Sequence, residues 1–172
     1  VETYGRCAKV SFTDDWMEDA ARRDFTINTL SCTPEGDIFD PFGKGLDDLG
    51  NERVRFVGNA HDRIEEDLLR LLRHFRFHVT YGRPPPDVDA LAACRALAHR
   101  LPELSGERVR DELFRILLAA APADAILLMR GERVLEYVLP EADGIGRLRT
   151  MAWLVTRAIK IGSVVPDALR RL

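Results

Sequence analysis

Glu65-Glu66-Asp67-Leu68-Leu69-Arg70-Leu71-Leu72-Arg73-His74-Phe75-Arg76-Phe77 sets apolar and charged residues in alternation at helical spacing. Ile64, Leu68, Leu71, Leu72 and Phe75 recur on one stripe as far as Val79, which predicts a single helix running from Ala60 to Val79. On that helix Asp67 and Arg70, three positions apart, would be surface neighbours. One offers acceptors and the other donors, the complement needed to read the Watson–Crick edge of a base. Arg73 and Arg76 continue at the same spacing, each about 60° further round the helix, so they would wrap toward a phosphate tail. The same residues also read as a solvated charged stripe over a leucine and phenylalanine core.

Downstream the pattern stays helical. Gly82 and Pro84-Pro85-Pro86 end the first helix, and Asp87 caps a second that runs through about Leu97. Ser105 caps a third, from Glu107 to Ala120, and further helices are predicted over Ala123–Arg130, Arg147–Ile161 and Pro166–Leu172. The apolar run Ile116–Met129 is interrupted by Pro122 and Asp124, which makes it a pair of buried helices rather than a membrane span. Upstream the pattern is mixed. Ala8–Phe12 alternates as a strand does, and Asp14 or Asp15 can cap a short helix through Arg22. Ile27–Cys32 and Ile38–Phe39 flank the turn residues Pro34-Glu35-Gly36-Asp37 as a hairpin, and Arg53–Val57 is a short extended segment. The fold class is therefore α+β and mostly α: the end of an α/β unit followed by an all-helical part.

With 172 residues, 46% hydrophobic and 31% charged, the chain has the composition of an ordinary folded protein and enough length to bury a core without staples. A formal net charge of −3 provides no global basic field, so any RNA contact has to come from a local basic face. Cys7, Cys32 and Cys94 are too few and too scattered for a disulfide framework or a zinc site, which predicts reduced thiols and a cytoplasmic setting. The chain begins at Val1 rather than Met and is read as a piece of a longer protein.

Two further clusters carry chemistry. In Glu18-Asp19-Ala20-Ala21-Arg22-Arg23-Asp24-Phe25-Thr26-Ile27-Asn28, paired arginines beside an aspartate could clamp a triphosphate, since guanidinium binds phosphate bidentately and stays charged. An exposed, salt-bridged helix end accounts for the same residues. In Asp40-Pro41-Phe42-Gly43-Lys44-Gly45-Leu46-Asp47-Asp48-Leu49, the glycines would let backbone approach a ligand, or simply make a tight turn into a helix.

Taken in order, Arg-Arg-Asp-Phe-Thr-Ile-Asn, Asp-Pro-Phe-Gly and Glu-Asp-x-x-Arg resemble the bacterial class of tRNA nucleotidyltransferases and poly(A) polymerases. Gly5-Arg6 followed by Glu18-Asp19 looks like that family's flexible loop and second motif. Ser105-Gly106-Glu107-Arg108-Val109-Arg110-Asp111-Glu112-Leu113 is similar to its neck motif, and Val138-Leu139-Pro140-Glu141 to a body segment. The resemblance implies a nucleotidyltransferase head ending at residues 1–57, a helical base-recognising neck at 58–120 and an RNA-binding body starting at 121–172. It implies addition of C and A to a tRNA 3′ end from CTP and ATP. Arg23 would contact phosphates or sugar, Asn28 the sugar, and Asp67 with Arg70 the base. Arg73 and Arg76 would help hold the nucleotide, with Arg22 and Asp24 as structural support. The family's Mg2+ ligands, an Asp-x-Asp pair, lie upstream of this sequence, so this chain would hold no metal and would be inactive without that segment, carried as a separate piece or otherwise. A poly(A) polymerase of the same family and a non-catalytic helical RNA-binding protein are the alternatives. A metal-dependent hydrolase built on His61-Asp62 is a further one.

Overall fold

The computed structural model describes residues 2–4, 7–9, 15–142 and 144–156. It is mostly helical, with two small antiparallel strand pairs near its start. β1 (Glu2–Tyr4) pairs with β2 (Cys7–Lys9), and β3 (Ser31–Cys32) with β4 (Ile38–Phe39). The expected strand over Ala8–Phe12 is thus described only through Lys9, and Gly5-Arg6 and the Pro166–Leu172 helix lie outside the described residues.

Local chemistry explains each element of the first part. Asp15 caps α1 (Trp16–Arg22), its carboxylate accepting from the backbone N–H of Met17 at 2.8 Å. The hairpin turn closes through Thr33, whose N–H donates to Asp37 O at 2.9 Å and whose hydroxyl accepts from Asp37 N at 3.1 Å. Gly36 supplies the positive φ of 98° that the turn requires. The strand expected to start at Ile27 starts later, because Thr26–Asn28 forms a 3₁₀ turn. The Asn28 side chain reaches back to Phe25 N at 3.2 Å and holds that turn closed. α2 (Gly45–Gly50) follows the Asp40–Gly43 turn, with Leu46 N donating to Asp40 Oδ2 at 3.0 Å.

The helix predicted as one piece from Ala60 to Val79 is two. α3 (Ala60–Glu66) ends at Asp67, whose backbone is extended (φ −152°, ψ 106°), and α4 (Leu69–Tyr81) begins after Leu68. Asp67 causes the break by capping: its carboxylate accepts from Leu69 N at 3.1 Å and its carbonyl from Arg70 N at 2.9 Å. Beyond lie α5 (Val88–Leu97), a 3₁₀ segment (Ala98–Glu103), α6 (Gly106–Leu118), α7 (Pro122–Gly131), the short α8 (Leu135–Val138) and α9 (Ile145–Thr156). The caps expected at Asp87 and Ser105 are formed, to Ala90 N and Arg108 N respectively.

The core is continuous from the first part into the helices. Residues 24–26 lie against 55–57: Thr26 N donates to Arg55 O and Val57 N to Asp24 O, both at 3.0 Å. This pairing delivers Phe25 to a ring cluster with Phe56 and Phe77, at centroid distances of 4.9 and 4.7 Å. Beneath it Ile64, Leu71, Leu72 and Phe75 are fully buried and lead to Cys94, Leu97, Leu101, Ile116 and Met129. Asp48, wholly buried, ties α2 to this unit by accepting from the Thr26 hydroxyl at 2.6 Å and from Arg55 Nε at 3.0 Å. Among the described residues no helix is long and apolar enough to cross a membrane.

Candidate nucleotide site at the helix break

The break at Asp67 brings three distant segments together: the end of α1 with its following loop, the α3–α4 junction, and the first turns of α6. Arg63 and Arg70 project from the two sides of the junction onto the loop. Arg63 Nη2 donates to Arg23 O at 2.6 Å and Arg70 Nη2 to Arg22 O at 3.1 Å. Glu66 lies between them and takes an ion pair from each. Burial pushes the Glu66 carboxyl up, but the hydrogen bonds from Arg70 and Arg63, with the charges of both, together reverse this and hold the group below the usual glutamate range. Arg70 also donates to Arg63 O at 2.9 Å. Three of the five N–H donors of its guanidinium are therefore committed within the chain.

Asp67 does not touch the Arg70 side chain as helical neighbours would. Its carboxylate is held by Arg108 of α6, whose Nη2 lies 2.9 Å from Oδ1 and 3.0 Å from Oδ2. Arg73 and Arg76, one turn apart along α4, point to different partners. Arg73 pairs with Asp24, and Arg76 with Glu112 of α6. Both guanidinium groups lie near the Phe77 ring, at 5.5 and 4.7 Å from its centroid.

Asp24 orients the α4 residue Arg73 rather than its chain neighbours. It is 5% exposed and also accepts from Asn28 Nδ2 at 2.6 Å. Burial pushes its carboxyl up; the hydrogen bonds from Arg73 and Asn28, together with the Arg73 charge, more than reverse this and keep it ionised below the usual aspartate range. Asn28 is engaged at both ends of its amide, by Asp24 and by Phe25 N. Arg22 pairs with Glu18, and Arg23 with Asp19 at 2.8 Å and with Asn28 O at 3.0 Å. Their side chains stay 40% and 48% exposed, comparable to Asp67 and Arg108 at 37% and 47%.

The contacts around the break link Arg22, Arg23, Asp24, Asn28, Asp67, Arg70, Arg73 and Arg76 with Arg63, Glu66, Arg108 and Glu112, to which the sequence reading gave no role; the Asp40–Leu49 turn and His61-Asp62 take no part in them. Arg108 and Glu112 are four apart on α6, so their spacing already put them on one face; their partners, 41 and 36 positions away, left no local trace. The carboxylates gathered here, Asp24, Glu66, Asp67 and Glu112, are each matched by arginine. Such a set does not fit a two-ion Mg2+ centre, which needs anionic oxygens free of competing cations. The four histidines do not come together at one point. His61, Asp62 and Glu65 share one exposed flank of α3, with their ligand atoms within 4.8 Å of one another, and there Glu65 also faces Arg100 at 3.6 Å. His74 is buried among Phe25, Phe56 and Phe75.

Known proteins resemble this chain in sequence and in fold. The family described as "Poly A polymerase head domain" matches residues 2–55, and "Probable RNA and SrmB- binding site of polymerase A" matches residues 86–145. The mitochondrial CCA tRNA nucleotidyltransferase 1 of Danio rerio is 41% identical over 146 residues, 84% of this chain and 34% of that protein. The CCA-adding enzyme of Streptococcus sanguinis is 43% identical over 141 residues, 82% of this chain and 35% of that enzyme. The chain thus spans about a third of the length of these relatives. Among solved structures, the Bacillus stearothermophilus CCA-adding enzyme in complex with CTP aligns with a TM-score of 0.71 and 28% identity, covering 94% of this chain and 44% of that one. The fold of the Thermotoga maritima CCA-adding enzyme complexed with tRNA-CCA also matches, with a TM-score of 0.70 at 22% identity over 88% of this chain and 38% of that one.

Proposed function

Because this chain belongs to the family of tRNA nucleotidyltransferases and poly(A) polymerases, we propose that it is the base-selecting part of an enzyme that adds C and A to the 3′ end of tRNA from CTP and ATP. The observation that carries this reading is the helix break. It turns Asp67 out of α3, its side chain 37% exposed, and leaves Arg70, 16% exposed, in the first turn of α4, so an acceptor and a donor flank the same junction.

In this reading the RNA 3′-hydroxyl attacks the α-phosphorus of the bound nucleotide, forming the new phosphodiester bond and releasing pyrophosphate. The residues of this chain act on selection and placement. Cytosine and adenine both present an exocyclic amino donor, which the Asp67 carboxylate accepts; uracil and guanine present a carbonyl there, which a carboxylate repels. Arg70 donates to the ring nitrogen acceptor with the N–H groups not committed to Arg22, Arg63 and Glu66. Arg23 engages phosphates or sugar, Asn28 the sugar, and Arg73 and Arg76 steady the triphosphate. Arg22 and Asp24 support them. Mg2+ would be held by carboxylates upstream of these residues, and no step here runs through it. The head extends through residue 57, the neck over 58–120, and the body from 121 grips the RNA by backbone contacts in the cytoplasm.

The test is to incubate the full-length natural protein with Mg2+ and tRNA lacking its last three nucleotides, supplying labelled nucleoside triphosphates singly and together. Incorporation of C, C and then A, lost in Arg70→Ala, is the expected result. Long A tails would make it a poly(A) polymerase, and no incorporation on any RNA end would leave a non-catalytic RNA-binding role.

A further inference from the structure

We propose, resting on the reading of Asp67 and Arg70 as the base-reading pair, that Arg108 of α6 is a positioning residue that sets the nucleotide specificity of that pair. Asp67 sits in extended backbone between two helices, so no helical neighbour fixes its side chain. The Leu69 N–H reaches only Oδ1, at 3.1 Å, and on its own would let the carboxylate pivot about that atom. Arg108 Nη2 straddles both oxygens, at 2.9 and 3.0 Å, and thereby fixes the plane of the group. A carboxylate offers about four acceptor positions. Leu69 N takes one and Arg108 addresses both oxygens, so the direction left open to an incoming amino group is set by where Arg108 stands.

Arg108 is itself placed by a rigid element. It lies in the first turn of α6, which Ser105 caps at Arg108 N. One turn further on, Glu112, with its side chain 2% exposed, is clamped between Arg76 of α4 and Arg115. Thus α6 is fixed to α4 by the Arg76–Glu112 pair and presents Arg108 from that anchored face. The Asp67–Arg108 pair is itself exposed, at 37% and 47%, so its removal should cost folding little. Discrimination between an amino donor and a carbonyl depends on the angle as well as the distance of the acceptor. Losing the second point of attachment should therefore blur selection more than it weakens folding.

The experiment uses the full-length natural protein and tRNA lacking its last three nucleotides. kcat and KM are measured for CTP, ATP and UTP in the wild type, Arg108→Ala, Arg108→Lys and Asp67→Ala. For Arg108→Ala we expect the preference for CTP over UTP to fall about tenfold, chiefly through a higher KM for CTP, with a thermal midpoint near that of the wild type. Arg108→Lys, which restores the charge, should recover part of the lost preference. Equal loss toward CTP and UTP, or full preference retained in Arg108→Ala while Asp67→Ala abolishes it, would overturn the role of Arg108 alone. Full preference retained in Asp67→Ala would overturn the base-reading assignment on which it rests.

Discussion

His74 gives a stability prediction that can be worked through from its surroundings. Its ring is fully buried, stacked on Phe56 at 5.5 Å and beside Phe25 at 6.1 Å, and neither nitrogen has a hydrogen-bond partner among the described residues. Burial, and to a lesser extent the charge of nearby His78, lower its pKa from the ordinary 6.5 to about 3. A depressed histidine favours the unfolded state once that state can take the proton. Stability is therefore complete above pH 6.5, falls as pH drops from 6.5 toward 3, and levels off below. At about 1.36 kcal/mol per pH unit, the loss between pH 6.5 and 4.5 is on the order of 2.5 kcal/mol. Replacing His74 by leucine, of similar volume and with nothing to titrate, removes this contribution. In urea unfolding, His74→Leu should gain on the wild type by that amount between pH 7 and pH 4.5. The carboxylates Asp24 and Glu66 also lose stabilisation in acid, but equally in both proteins. Parallel stability curves for wild type and variant would refute the reasoning, because they would mean that the buried ring is either hydrated or already charged.

Other consequences follow from single contacts. Asp48→Ala strands the Arg55 guanidinium and leaves the Thr26 hydroxyl only its longer bond to Arg55 O at 3.4 Å; with the Arg55 side chain a third exposed, the cost sits at the low end for a broken buried pair, about 3 kcal/mol by denaturant unfolding. Gly45→Ala would put a Cβ 2.8 Å from Thr26 O and 2.7 Å from Leu30 Cδ2, so backbone must shift and about 2 kcal/mol should be lost. In a maleimide reaction mapped by mass spectrometry, exposed Cys32 should label in the folded protein. Cys94, buried with its thiol pushed up by desolvation, should label only on unfolding.

Much of this arrangement is legible in the amino-acid order, and the exceptions have physical causes. Asp15, Asp87 and Ser105 announce their helices because a capping side chain acts on N–H groups two or three residues away. The α4 stripe is visible for the same local reason. The break at Asp67 escapes a count of apolar spacing because Ile64, Leu68 and Leu71 stay in phase across it. The informative signal is the aspartate just ahead of Leu68-Leu69, a cap embedded in an apparently continuous helix. The 3₁₀ turn at Thr26–Asn28 is likewise hidden, since Ile27 fits a strand as readily as a turn. Long-range pairs are invisible in principle. Arg73 and Asp24 are 49 positions apart, and Arg108 and Asp67 are 41, so only the packed core decides that they meet.

The most direct measurement is a crystal structure of the full-length natural protein with bound CTP. The cytosine amino group is predicted to lie within about 3 Å of the Asp67 carboxylate, with the Arg70 guanidinium at the ring's acceptor edge and Arg108 still on Asp67. A cytosine bound elsewhere, with the Asp67 carboxylate left to Arg108 and Leu69 N alone, would contradict the assignment of base selection to this helix break.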